Sequence, residues 1–350
     1  MRVGNILRRA LAAAGLQRAA SRQPDADAGS AAAAAGDIQN QELAQRPSHG
    51  LPRAGPGEFV SRSFSNSHGT RAYKLYVPKS YRGKPVPLIV MLHGCTQNPD
   101  DIAAGTRMNE LADRHGCLVV YPAQSPAANG MNCWNWFNRK DQVRDRGEPA
   151  LIAGITREIM GDYEVDPRKV FVAGISAGAA MAVIMATVYP ELFAAVGVHS
   201  GLAYGAAHNS TSAFVALRGR NKASADTPSV IKRRPAATRA TPTIVFHGDL
   251  DATVDPSNGT AVVDQAIALA TDSHGSLQKT VQDRMTVNGR EYTATIYRTR
   301  SRRPIVEYWE LHGAGHAWSG GSSNGSFADE SGPDASAEMV RFFLSQGAKD

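Results

Sequence analysis

The chain is short of several things that would each point to a different class of protein. It has no run of eighteen apolar residues, so no transmembrane helix is expected. Its ten histidines are scattered, and no cluster has the spacing of metal ligands, so neither a metal nor another cofactor is expected. Basic residues gather at Arg8, Arg9, Arg18 and Arg22 and at Lys232, Arg233, Arg234 and Arg239, but without interleaved aromatics or a nucleic-acid-binding motif. With a net charge of only +6, these clusters read as solvated segments, and no nucleic-acid partner is expected. Internal repeats are absent. Three cysteines allow at most one intramolecular disulfide. Cys117 lies in the apolar run Cys117-Leu118-Val119-Val120-Tyr121 and reads as a small core residue.

What remains is a globular composition, 42% hydrophobic and 20% charged over 350 residues. Residues 1–57 read as a leader. Ser21 to Gln45 is rich in Ala, Asp, Gly and Gln and buries too little apolar surface to fold alone. Arg8 and Arg9 precede the short apolar patch Leu11 to Leu16, which reads either as a weak signal core or as an amphipathic helix. Residues 58–350 are expected to form the folded domain. Apolar, strand-like runs occur at Arg71–Val77, Leu88–Leu92, Leu118–Tyr121, Lys169–Ala173, Ala194–Val198, Thr243–Phe246 and Ile305–Leu311. Helical stretches fall between them at Asp101–Arg114, Pro149–Met160, Ala177–Val188, Thr260–Ala270 and Ala335–Gln346. This alternation predicts an α/β fold, a mostly parallel sheet with helices on both faces. Reactive residues of such a sheet lie beyond the carboxyl ends of its strands.

The residues after those ends are chemically distinctive. Val170 to Ala173 leads into Gly174-Ile175-Ser176-Ala177-Gly178, a Gly-x-Ser-x-Gly between a strand and an apolar helix. A serine there sits on a sharp, strained turn whose neighbours must be small, in front of helix amides that favour negative charge. Ser176 is therefore the candidate nucleophile of an α/β-hydrolase fold. In that fold an early strand supplies an oxyanion donor, together with the residue after the nucleophile. Leu88–Leu92 ends in His93-Gly94-Cys95-Thr96-Gln97, which assigns the donors to the backbone N–H groups of Cys95 and Ala177. His93, at a strand end before glycine, reads as shaping the loop. Three carboxylates, Asp249, Asp251 and Asp255, follow Thr243–Phe246. The pattern His-Gly-x-x-Asp-x-x-Val, common in hydrolases of this fold, selects Asp251; Asp249 is the runner-up and reads as capping the turn. Of the histidines after the last strand, His312 still belongs to it, whereas His316 follows a Gly-rich turn and is the candidate base. The order Ser, Asp, His is the order of this fold.

Taken together, Leu92-His93-Gly94-Cys95-Thr96-Gln97, Cys133-Trp134-Asn135-Trp136-Phe137, Gly147-Glu148-Pro149-Ala150-Leu151-Ile152, Gly174-Ile175-Ser176-Ala177-Gly178, His199-Ser200-Gly201 and Gly313-Ala314-Gly315-His316-Ala317-Trp318-Ser319-Gly320-Gly321 resemble the short-chain poly(3-hydroxybutyrate) depolymerase family of esterases. The likeness runs from about Arg71 to about Gly321. It implies a carboxylic ester hydrolase with a polyester or small-ester substrate, an acyl-enzyme and an extracellular location. Feruloyl and acetyl-xylan esterases are relatives, so an aryl or acetyl ester of plant polysaccharide is the alternative substrate. It also implies that Trp134, Trp136 and Trp318 contact substrate; the Trp134–Trp136 segment reads equally as simple core. Loop placement and the resemblance together make Cys95 and Cys133 the candidate disulfide, pinning the oxyanion loop to that segment. Many secreted relatives that attack solid polymer carry a separate adsorbing domain. This chain ends soon after its last helix, so soluble oligomers are the expected substrates. A non-catalytic binding scaffold is the remaining rival, and it would lack a triad residue; here each position is occupied. Oligomeric state is not encoded in these motifs.

Overall fold

A computed structural model describes residues 55–219 and 240–346. Residues 1–54 of the leader and the basic cluster at 232–239 lie outside them. The chain forms a ten-stranded sheet in the order β1-β2-β4-β3-β5-β6-β7-β10-β9-β8. Its centre is parallel: β4 (Leu118–Pro122), β3 (Val86–Leu92), β5 (Val165–Ile175), β6 (Ala195–His199), β7 (Thr243–Gly248) and β10 (Pro304–Leu311). These strands are the continuous Val-, Ile- and Leu-rich runs of the sequence, and they are buried because helices cover both faces. Antiparallel strands close each edge, β1 (Phe59–Asn66) and β2 (Gly69–Tyr76) on one side, β9 (Arg290–Arg298) and β8 (Gln278–Val287) on the other.

Helices α1 (Pro99–Thr106), α2 (Met108–His115) and α7 (Ala335–Gln346) lie on one face. On the other lie α3 (Gly147–Asp162), α4 (Ala177–Val188), the short α5 (Ser210–Leu217) and α6 (Ser257–His274). Each face has its own core. Phe171 stacks on Phe343 at 4.9 Å on the first, and Ile152, Met181 and Val262 fill the second. The helix expected over Asp101–Arg114 is two helices, because Arg107 adopts φ +52 and breaks the hydrogen-bond ladder between α1 and α2. A parallel pair of short strands, β11 (Trp318–Ser319) and β12 (Ala328–Asp329), folds the segment after β10 back on itself. Among the described residues no helix is long and apolar enough to cross a membrane.

Candidate active site

The four loops singled out in the sequence leave the carboxyl ends of β3, β5, β7 and β10, so they meet at one rim of the parallel sheet. β5 passes directly into α4 through Ser176, whose backbone sits at φ +58, ψ −122. A non-glycine residue is strained there and must be held by its surroundings. The two glycines explain how the turn closes. A Cβ on Gly178 would lie 2.1 Å from the Leu92 carbonyl oxygen and 2.5 Å from that of His93, and one on Gly174 would lie 2.5 Å from Leu92. Only hydrogen at both positions lets the elbow pack against the end of β3. The Ser176 N–H donates to the His199 carbonyl at 2.9 Å.

Asp251 and His316 form the second half of the arrangement. One carboxylate oxygen of Asp251 accepts the backbone N–H groups of Thr253 (2.8 Å) and Val254 (2.9 Å). The other meets His316 Nδ1 at 2.7 Å. Burial alone would raise the Asp251 carboxyl. The charge and hydrogen bond of His316, then His247 and the Val254 N–H, reverse this and hold it below the ordinary carboxylate range. Bonding at Nδ1 leaves Nε2 as the ring nitrogen free to take a proton. His316 and Ser176 line the same small cavity with Gly94, Cys95, Gln97, Ile175 and Phe327.

Asp249 turns the other way. It accepts the Gly313 N–H at 2.7 Å and meets His312 Nδ1 at 3.2 Å, while His312 Nε2 lies 2.9 Å from Thr293 Oγ1. This pair ties the acid turn to the end of β10 and does not reach the cavity. His247, behind Asp251, donates from Nε2 to the Val254 carbonyl at 2.9 Å and lies 3.5 Å from the Asp251 carboxylate.

The loop after β3 is held from several sides. His93 Nε2 accepts the Gln124 N–H at 3.0 Å, which places the ring proton on Nδ1, 2.8 Å from the Gly94 carbonyl. Gln97 Oε1 accepts the Gly94 N–H at 2.9 Å. The structure joins Cys95 to Cys133 by a disulfide. Buried Glu148 accepts the Asn135 N–H at 2.7 Å, and so fastens the Cys133–Trp136 segment to the start of α3. The Ala177 N–H opens α4, where the helix itself supplies no acceptor. Cys95 lines the cavity, and Ala177 follows Ser176 at the start of α4. The disulfide closes a separation of 38 residues, and loop-closure entropy gives it a stabilising contribution of about 4 kcal/mol. Cys95→Ser with Cys133→Ser is expected to lower unfolding free energy by roughly that amount in denaturant titrations. Peptide mapping of oxidised protein that finds both thiols free would contradict the pairing.

The three tryptophans expected to contact substrate are all buried. Trp134 is fully buried and donates its indole N–H to the His93 carbonyl at 3.1 Å; Trp136 packs edge-on against Phe137. Trp318 donates to Ser336 Oγ at 3.0 Å and stacks on His199. None lines the cavity, because each large ring is taken up in sealing the core beneath a loop. The aromatic at the cavity is Phe327, which no sequence pattern singled out. His199 is a second residue whose role emerges only in three dimensions. Its Nε2 accepts the Ser319 N–H at 3.1 Å, anchoring the segment three residues beyond His316, and its ring lies between Trp318 and Phe246.

Burial lowers His93 to about 4 and His199 to about 3, and it also lowers His247. Burial, then the charge of Asp141, pushes Glu148 up to about 7 against the donors of Gln124 and Asn135. Between about pH 4.5 and 6.5 the unfolded chain binds protons at His93 and His199 that the folded chain refuses, and His247 shifts in the same direction. Each then makes stability rise with pH, by at most ~1.4 kcal/mol per unit. Glu148 has the opposite sign, since the folded state keeps a proton that the unfolded state releases. The histidines outnumber it, so the urea midpoint is expected to rise between about pH 5 and 6.5. His199→Gln is expected to flatten the slope; a flat or falling wild-type profile would contradict this balance.

Comparison with known proteins bears on the fold and the family. A family model described as Esterase PHB depolymerase matches residues 71–287, which includes Ser176 and Asp251 and ends before His316. The chain is 33% identical over 262 residues to poly(3-hydroxyalkanoate) depolymerase C of Paucimonas lemoignei, covering 73% of this chain and 60% of that protein. It is 29% identical over 297 residues to acetylxylan esterase A of Talaromyces purpureogenus, covering 78% of this chain and 73% of that protein. The solved acetyl xylan esterase from Aspergillus awamori aligns with a TM-score of 0.65 at 21% identity, over 82% of this chain and 99% of its own. That likeness speaks for the fold, which is the α/β-hydrolase fold. The chain spans only about 60% of the length of the depolymerase it matches.

Proposed function

Because this chain belongs to the esterase PHB depolymerase family, we propose that it is a serine esterase that cleaves poly- or oligo(3-hydroxybutyrate) or similar short hydroxyalkanoate esters through an acyl-enzyme. The observation that carries the reading is the meeting, at one cavity, of Ser176 on its strained elbow with a His316 already bonded to Asp251. His316 Nε2 takes the Ser176 proton as Oγ attacks the ester carbonyl. The carbonyl oxygen becomes an oxyanion that accepts from the N–H groups of Cys95 and Ala177, at a helix N-terminus that favours negative charge. The C–O bond to the alcohol breaks, and His316 returns the proton to the leaving oxygen. Water then attacks the acyl-enzyme, again giving a proton to His316, and the acid departs as Ser176 regains its hydrogen. Asp251 keeps the imidazole in the Nδ1–H tautomer and stabilises its cation.

On this reading residues 58–350 are the catalytic domain and residues 1–57 a leader. The disulfide suits an oxidising compartment and supports an extracellular location. The likeness to acetylxylan esterase A supports a second reading, in which acetyl or feruloyl groups are removed from plant polysaccharide. Purified protein tested against hydroxybutyrate oligomers, acetylated xylan and ethyl ferulate separates them. The first reading predicts the highest kcat/KM on the oligomers; a higher value on either polysaccharide-type ester replaces it with the second.

A further inference from the structure

The geometry points to Phe327 as the residue that sets acyl specificity, a rigid aromatic wall that confines the acyl group to short chains. The inference rests on the esterase reading above and adds to it the part of the substrate that is selected. The cavity at Ser176 is small and is lined by Gly94, Cys95, Gln97, Ile175, Ser176, His316 and Phe327. Most of its lining is already committed. Gly94 has no side chain, Cys95 is tied to Cys133, His316 is bonded to Asp251, and Gln97 accepts from Gly94 while donating to the Ser326 carbonyl at 3.0 Å. Ile175 and Phe327 carry the hydrocarbon side chains of this lining, and Phe327 is much the larger.

Phe327 is also held in a conformation that an aromatic residue does not adopt by preference, with φ +54. Its surroundings enforce it on both sides. Its carbonyl accepts the Trp318 N–H at 2.7 Å, which starts the β11–β12 pairing. The residue before it is fastened by Asp101, which accepts the Ser326 N–H at 2.7 Å and also its hydroxyl. Gly325 lies so close to α1 that a Cβ there would come within 2.4 Å of the Gly105 nitrogen. The backbone that carries the ring is thus fixed, and it sets the ring edge-on to His316 with 6.3 Å between centroids. The same folded segment carries the proton acceptor and the wall.

The test is a series of p-nitrophenyl esters from acetate to octanoate, with a second series of alkyl acetates that varies only the alcohol. Phe327→Ala is expected to raise the octanoate-to-acetate ratio of kcat/KM by about 10- to 100-fold, and Phe327→Trp to lower the butyrate-to-acetate ratio. Phe327→Asn, whose side chain tolerates positive φ, removes the ring without the same backbone demand and should reproduce the alanine profile if alanine impairs folding. Ring-deleting variants that melt like wild type but keep its acyl profile within about twofold would overturn the assignment. So would a change confined to the alcohol series. A wild-type protein that turns over no ester in either series would instead sink the esterase reading, and the wall with it.

Discussion

Replacing Ser176 by alanine is expected to lower turnover of a soluble ester by about 10⁴–10⁶ while the protein still folds. The size of the loss follows from what the hydroxyl does. It supplies the only covalent attachment point in the proposed sequence, and without it the oxyanion donors and the cavity can assist only direct attack by water. The fold survives because the elbow is held by backbone: by the Ser176 N–H bonded to His199 and by Gly174 and Gly178 against β3. Alanine keeps all of these. A melting temperature within a few degrees of wild type, measured alongside turnover, separates loss of chemistry from loss of structure. A variant that keeps more than about a tenth of the activity would mean that another nucleophile does the work.

Asp251→Asn is expected to be nearly as severe, about 10⁴-fold in kcat, and Asp249→Asn mild, within about tenfold. The two aspartates are two residues apart on one turn, and the contrast comes from what each faces. In Asp251→Asn the amide oxygen keeps the Thr253 and Val254 N–H groups, which turns the amide NH₂ toward His316. Two donors then meet unless His316 moves its proton to Nε2, and in that tautomer it cannot accept from Ser176. In Asp249→Asn the same exchange falls on His312. Its ring can then donate from Nε2 to Thr293 Oγ1, so the tether survives away from the cavity. Kinetics on both variants, with melting curves, measure the contrast. The reverse ranking would move the acid role to Asp249.

Much of this was legible in the sequence because the parallel strands are buried on both faces and therefore appear as unbroken apolar runs, with their chemistry in the loops that follow. Gly174 and Gly178 marked the elbow for a steric reason that the structure repeats atom by atom. Other parts left no usable trace. The break at Arg107 involves neither glycine nor proline, so α1 and α2 look like one helix. β8 is exposed almost throughout and has no apolar alternation, so the hairpin it forms with β9 through Asn288-Gly289, both at positive φ, was not among the expected strands. Trp134 and Trp318 show why a wall and a core residue are hard to tell apart from sequence: both roles need a large apolar ring, and the destination of the indole N–H decides between them. Phe327 was hidden for the opposite reason, alone among serines and glycines between β11 and β12, where its meaning comes entirely from the fold.

Labelling with a fluorophosphonate probe, followed by peptide mass mapping, addresses most directly whether these side chains act together. The account predicts a single adduct on the Ser176 peptide, formed quickly in wild type and far more slowly when His316 is replaced by alanine. An adduct on another serine, or a Ser176 that reacts equally fast without His316, would contradict it.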